Sequence, residues 1–406
     1  MLEINSTSLY KSYFMRFIVI LLGLPIAIFF ESRAFVVGLI VACWVNWQLT
    51  NKSKTNKKHS FVLGLIVAFM AFVLAFVFKL NSSLGRLFIY KISFQLFEKN
   101  WLYGVGPGNF KSTYLFQQAD YFAKGNFTEN EQQLADNTFY AFNDYWQFIV
   151  ETGVIGGVLL ALVLFFIVNQ IYIASKNQRF IVLKSIVTSL LVSIMIAAFF
   201  THIFENKLYQ YSTILAMMTL VLVNNLNKTY RNVYLVLVSV LFVWILSQSI
   251  LKYQTETNYK KAMLLYMAGL KEDSLMELNI IRPIEDNKRA VLYLQLLLSN
   301  QYLTQENEII LLAKKYPNAQ IYKLLGDYYA TNRSYQKAAN AYTLAINMVP
   351  NRFVPRQSLL QLYVSQNKLV EAVEVAEQIV KLKVKVSSNQ VNAIKLEAVE
   401  FLKNYQ

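Results

Sequence analysis

Apolar positions follow two regimes along this chain. Up to about residue 251 they come in long runs with few polar interruptions, at 14–30, 34–49, 61–78, 153–174, 181–200, 208–226 and 233–251. Beyond that point they recur every three or four residues within an otherwise charged sequence. A bilayer core about 30 Å thick is crossed by about 20 apolar helical residues, so each run predicts a span, with 34–49 the shortest. A three-to-four spacing predicts helices that bury one face only. The expected fold is all-α: a polytopic helical membrane domain of about seven spans over residues 1–251, then a soluble helical solenoid over 252–406.

The solenoid has a repeat signature. Residues 319–352 place Tyr322, Leu325, Gly326, Tyr329, Ala338, Tyr342, Ala345 and Pro350 where the tetratricopeptide pattern of about 34 residues expects them. A second unit, 353–386, keeps Leu359, Tyr363, Ala372 and Ala376 but neither the glycine nor the proline. Residues 258–316 read as further helical hairpins, with Leu292, Leu296 and Leu297 on a buried face. One repeat cannot bury its apolar face alone, so stacked neighbours are required. Such a surface binds more often than it catalyses, and two readings stand side by side there: a site for a protein or peptide partner, and a cap over the membrane domain with no partner.

Composition agrees with a membrane protein: 55% of the 406 residues are hydrophobic and 16% charged, too little charge for an ordinary soluble chain. The net charge of +15 would in a soluble protein raise nucleic-acid binding. Here the N-terminal excess sits in short loops, Lys52, Lys54, Lys57 and Lys58, then Lys176 and Arg179, then Lys228 and Arg231, none with an acid. Positive loops stay in the cytoplasm, and no nucleic-acid partner is expected. Alternation then puts the N-terminus inside, and 31–33, 80–152, 201–207 and everything after 251 outside. The single cysteine, Cys43, precludes an intrachain disulfide or a multi-cysteine metal site. The first run lacks a small-residue cleavage site, so it is expected to remain as a span.

The outer connection 80–152 is the longest and is rich in aromatics and acids. Its first part, 85–101, has apolar residues at a partly helical spacing, which predicts an interfacial helix. Gly104-Val-Gly-Pro-Gly-Asn-Phe110 then breaks it; this run lacks the Lys-Ser/Thr and the preceding strand of a P-loop, and as a lone glycine motif it reads first as a turn.

Four stretches in order, covering about 23–156, resemble the O-antigen ligase and polymerase family of the type found in Bacteroidetes-like bacteria. Glu31-Ser-Arg-Ala34 is similar to its Ser-Arg signature, and Gly85-Arg-Leu-Phe-Ile-Tyr90 to its Gly-Arg segment. Leu102 to Phe110 resembles its glycine-rich turn. Ala141-Phe-Asn-Asp-Tyr-Trp-Gln-Phe-Ile-Val-Glu-Thr-Gly-Val-Ile-Gly156 looks like its His-Asn…Glu-x-Gly-x-x-Gly approach to the next span. The resemblance implies a bacterial inner-membrane enzyme that moves a glycan from an undecaprenyl-diphosphate carrier to a lipid or glycan acceptor hydroxyl on the periplasmic face, without a metal or other cofactor.

Arg33 and Arg86 match the family's diphosphate-binding arginines, and a planar, permanently charged guanidinium suits departing phosphate oxygens. An arginine at a span end that anchors to head groups would look the same. The family's histidine position is Phe142, which has no proton to exchange. Asp144, Glu151 and His202, all on the outer side, are the candidate substitute bases. The alternative from a different functional class is a non-catalytic membrane scaffold, with a degenerate transferase core and a partner-binding repeat domain.

Overall fold

The computed structural model describes residues 80–176, 181–225, 231–281, 287–299 and 306–405, with Gly38 and Val41. The apolar windows 14–30, 34–49 and 61–78 and Arg33 therefore lie outside the described residues, those two positions excepted. The described residues are helical and contain no strand, as an all-α reading expects. They divide into two compact units, Met1–Ser83 with Tyr140–Leu251, and Leu84–Phe139 with Lys252–Gln406.

In the first unit, α4 (Asp144–Lys176), α5 (Ile181–Phe200) and α6 (Lys207–Asn225) pack on one another, and a 3-10 turn at Ile203–Glu205 joins the last two. Val187 and Leu191 of α5 meet Ala216 and Leu220 of α6 and Ala174 of α4. Asn224 donates to the backbone and side-chain carbonyls of Gln170 at 3.0 and 3.1 Å, which pairs its amide nitrogen inside an apolar contact. Gly38 lies against the backbone of Ser193, where a Cβ would come within 2.7 Å of the carbonyl oxygen. A side chain at residue 38 would force the two segments apart.

Among the described residues, two stretches are long and apolar enough to cross a membrane, Asp144–Ala174 and Leu183–Phe200. In the first, Val158, Leu159, Leu162 and Phe165 are exposed. A soluble core helix buries such residues; a helix facing lipid leaves them outward. Gly153, inside α4, has φ 68° and ψ −166°, a conformation reserved for glycine. It separates the amphipathic turn 144–152 from the apolar stretch that follows. The windows 208–226 and 233–251 fall on α6 and on α7 (Arg231–Met267).

In the second unit, helical hairpins follow one another: α8 (Lys271–Ile280), α9 (Asn287–Ser299), α10 (Glu306–Lys315), then α11 (Ala319–Thr331) against α12 (Tyr335–Met348), and α13 (Val354–Ser365) against α14 (Leu369–Lys381), closed by α15 (Asn389–Tyr405). One apolar cluster runs from Ala338 and Tyr342 through Leu359, Leu360, Ala372 and Ile379 to Ile394 and Ala398. Each of the windows 319–352 and 353–386 holds one hairpin.

To these helices the segment 84–139 is joined. It comprises most of α1 (Leu80–Lys99), then α2 (Phe110–Ala123) and α3 (Glu129–Leu134), and α2 packs on α12. Phe116 meets the Tyr322 ring edge-on at 5.9 Å. Gln118 donates to the Met348 carbonyl, and Asn137 accepts the Ala319 N–H at 3.1 Å. Buried Asn351 donates to the carbonyls of Gln132 and Ala135 at 3.0 and 2.6 Å. Residues 84–139 are thus a built part of the second unit.

Candidate functional site

The start of α4 carries the densest chemistry of the first unit. Asn143 caps the helix, its side-chain oxygen accepting the Trp146 N–H at 3.0 Å, as N-cap residues do. Immediately before it, Phe142 has φ 54°, a left-handed backbone uncommon for a bulky residue and costing on the order of 1–3 kcal/mol. That turn aims the Phe142 ring at His202: the ring centroids are 5.3 Å apart at 86°. On its other side His202 stacks on Tyr140 at 4.2 Å with the rings 3° from parallel. Two aromatic rings therefore fix the plane of the imidazole.

Asp144 is the first residue of α4, two positions after Phe142. Its carboxylate accepts the Phe204 N–H at 3.1 Å and so ties α4 to the 3-10 turn that follows His202. Tyr145 donates to the Met195 carbonyl at 2.8 Å and fastens the same helix to α5. Farther along α4, Gln147 accepts the Ala141 N–H at 3.1 Å and donates to Glu151 at 3.2 Å; Glu151 is buried. Of the three candidate bases, His202 and Asp144 are brought to the same end of the unit as Phe142. Glu151 lies two turns away along α4 and is held by Gln147.

Arg86 is on α1 in the second unit, half-buried, while Arg33 is outside the described residues. The glycine-rich stretch is a turn between α1 and α2: Gly104, Gly106 and Gly108 have φ of 70°, 98° and 75°, values that side-chain-bearing residues avoid. Asn109 donates to the Val105 carbonyl at 3.1 Å and closes it. The glycines are thus accounted for by backbone geometry.

Sequence reasoning missed a charged cluster in the second unit. Lys91 of α1 pairs with Glu131 of α3 at 2.5 Å and with the Tyr121 hydroxyl of α2 at 2.8 Å. Tyr121 donates to the other Glu131 oxygen at 2.9 Å, which also accepts the Thr128 N–H at 2.9 Å. Burial alone would raise the Glu131 carboxyl. The Lys91 ammonium, the Thr128 N–H and the Tyr121 hydroxyl outweigh it and hold the group at about 2, below its ordinary 4.5. The capping box Thr128-x-x-Glu131 was visible as a local pattern; the lysine forty positions earlier was not.

Residues 18–161 match the family model described as O-antigen ligase, which places that stretch, including the start of α4, in similarity to that family. No curated protein and no solved structure matches the chain.

Proposed function

We propose that the chain transfers an envelope glycan, by ligation or polymerisation, from an undecaprenyl-diphosphate-linked donor to the hydroxyl of a lipid or glycan acceptor at the outer face of the bacterial inner membrane. The similarity of 18–161 to O-antigen ligases supports the reaction class. The observation that carries the site assignment is the contact of His202 with Phe142: an imidazole sixty residues later stands beside the position where the family pattern has its histidine.

In this reading His202 accepts the proton of the acceptor hydroxyl as that oxygen attacks the anomeric carbon. Tyr140 and Phe142 keep the imidazole plane fixed, and Asp144 positions the 3-10 turn behind it; Glu151 is the remaining acid of the set. Arg33 and Arg86 take the carrier diphosphate, because the leaving group departs with growing negative charge that a guanidinium stabilises. The reaction asks for no metal or other cofactor. By the positive-inside rule, 80–152 and 252–406 are periplasmic. The tetratricopeptide-like hairpins of 319–381 present a surface for an envelope protein.

One observation favours the scaffold alternative: Phe142 cannot exchange a proton. The variants separate the two. Arg33→Ala and Arg86→Ala are expected to abolish transfer in proteoliposomes, and lysine to rescue only partly, since it keeps the charge but loses the fork. His202→Ala should lose turnover while retaining carrier binding. Parent-level transfer by all three alanine variants would refute the site.

A further inference from the structure

Helix α1 has two apolar faces. One packs inside the second unit: Phe88, Ile89, Ile92 and Leu96 are buried, and the Phe88 ring meets those of Tyr121 and Phe122 at 6.1 and 5.8 Å. The opposite face carries exposed apolar residues. Leu84, Leu87 and Phe94 are 40%, 52% and 49% exposed and fall on one side of the helix at the three- and seven-residue spacing that shares a face. Just past the helix end, Trp101, Leu102 and Tyr103 are exposed too, at 57%, 36% and 73%.

We propose that this face of α1, with Trp101, Leu102 and Tyr103, lies in the head-group layer of the bilayer and seats the second unit on the membrane surface. The occupant is lipid for three reasons. α1 begins directly after the apolar window 61–78, so its first turn starts where a predicted span ends. Trp and Tyr prefer the membrane–water boundary, where an apolar ring and a polar atom are both satisfied. Glu98 shares this face and holds it at head-group depth, because charge at the hydrocarbon centre is costly. At about 1.5 Å per residue the helix lays down about 30 Å of contact. This inference does not rest on the glycan-transfer reading.

The test uses the full chain in vesicles of phosphatidylethanolamine and phosphatidylglycerol. With a lipid carrying a photoactivatable group high in its acyl chain, the wild-type protein should yield lipid adducts on peptides containing Leu87, Phe94 and Trp101 to Tyr103, and none on 128–130, which is exposed and polar. Spin labels placed by Leu87→Cys, Phe94→Cys and Tyr103→Cys in a Cys43→Ser background should be several-fold more accessible to oxygen, relative to a water-soluble nickel chelate, than a label at Asn126→Cys. Adducts confined to 153–174 and 183–200 with all four labels equally chelate-accessible would overturn the proposal. So would spin–spin broadening at residue 94, which would mark a second copy as the occupant.

Discussion

Gly326 offers the sharpest packing test because two opposing effects at one atom can be separated. A methyl group there would fall inside van der Waals contact with Cδ1 and Cε1 of Tyr342. That ring cannot swing away: it is 3% exposed, and its hydroxyl donates to Asp327 at 2.8 Å, which Lys323 holds in turn at 2.6 Å. Overpacking of this kind costs about 1–3 kcal/mol, and an anchored ring puts it toward the upper end. Alanine favours a helix over glycine by about 1 kcal/mol. The net loss for Gly326→Ala is therefore up to about 2 kcal/mol, which speeds exchange up to about thirty-fold. Hydrogen exchange by mass spectrometry on the full chain reads this on peptides from 319–348. In a Tyr342→Leu background the clash is gone and only the helix preference remains. The same substitution should then slow exchange, by about five-fold for about 1 kcal/mol. If it acts with the same sign in both backgrounds, the close approach of residue 326 to the ring is not what sets its cost.

Three further expectations follow from the contacts. The depressed Glu131 carboxyl contributes stability that is present above its ordinary 4.5 and lost as the pH falls toward about 2, so protection of α3 should fade through that interval in the parent. In Glu131→Gln it should be low throughout; an identical profile in the two proteins would deny the Lys91–Glu131 link a role. Asn351→Ala leaves the carbonyls of Gln132 and Ala135 short of a donor, at about 1–3 kcal/mol, and should make 129–139 the first segment nicked in limited proteolysis, whereas unchanged nicking would show that segment to be held by other contacts. Single cysteines introduced at Lys57, Asn126 and Gln406 should label in intact cells at the last two positions only. Labelling at 406 only after the inner membrane is permeabilised would place the repeat helices in the cytoplasm.

Helices were legible wherever one local pattern dominated. The runs 153–174 and 181–200 needed only hydropathy, and Gly153 begins the first of them because its backbone breaks the helix there. The paired helices of 319–348 followed from small and aromatic residues at fixed offsets. The joining of 84–139 to 252–406 was not legible. It rests on single polar side chains such as Asn351, Gln118 and Asn137 reaching backbone groups some two hundred residues away, and nothing periodic marks such residues.

At the site, sequence named Phe142, Asp144 and His202 without their geometry. The left-handed backbone at Phe142 and the stacking of His202 on Tyr140 depend on how the turn before α4 meets the turn after α5. Tyr140 itself drew no attention, since a tyrosine beside a helix start is more often plain packing.

The most direct measurement is glycan transfer by the purified parent chain in proteoliposomes, followed from a lipid-diphosphate-linked donor to an added acceptor with a chelator present. A glycosidic product and release of the carrier diphosphate are expected in equal amounts, with His202→Ala lowering the rate and leaving donor binding in place. A parent chain that binds no donor and forms no product, supplied with donor and acceptor from its own cell envelope, would contradict the transfer reading.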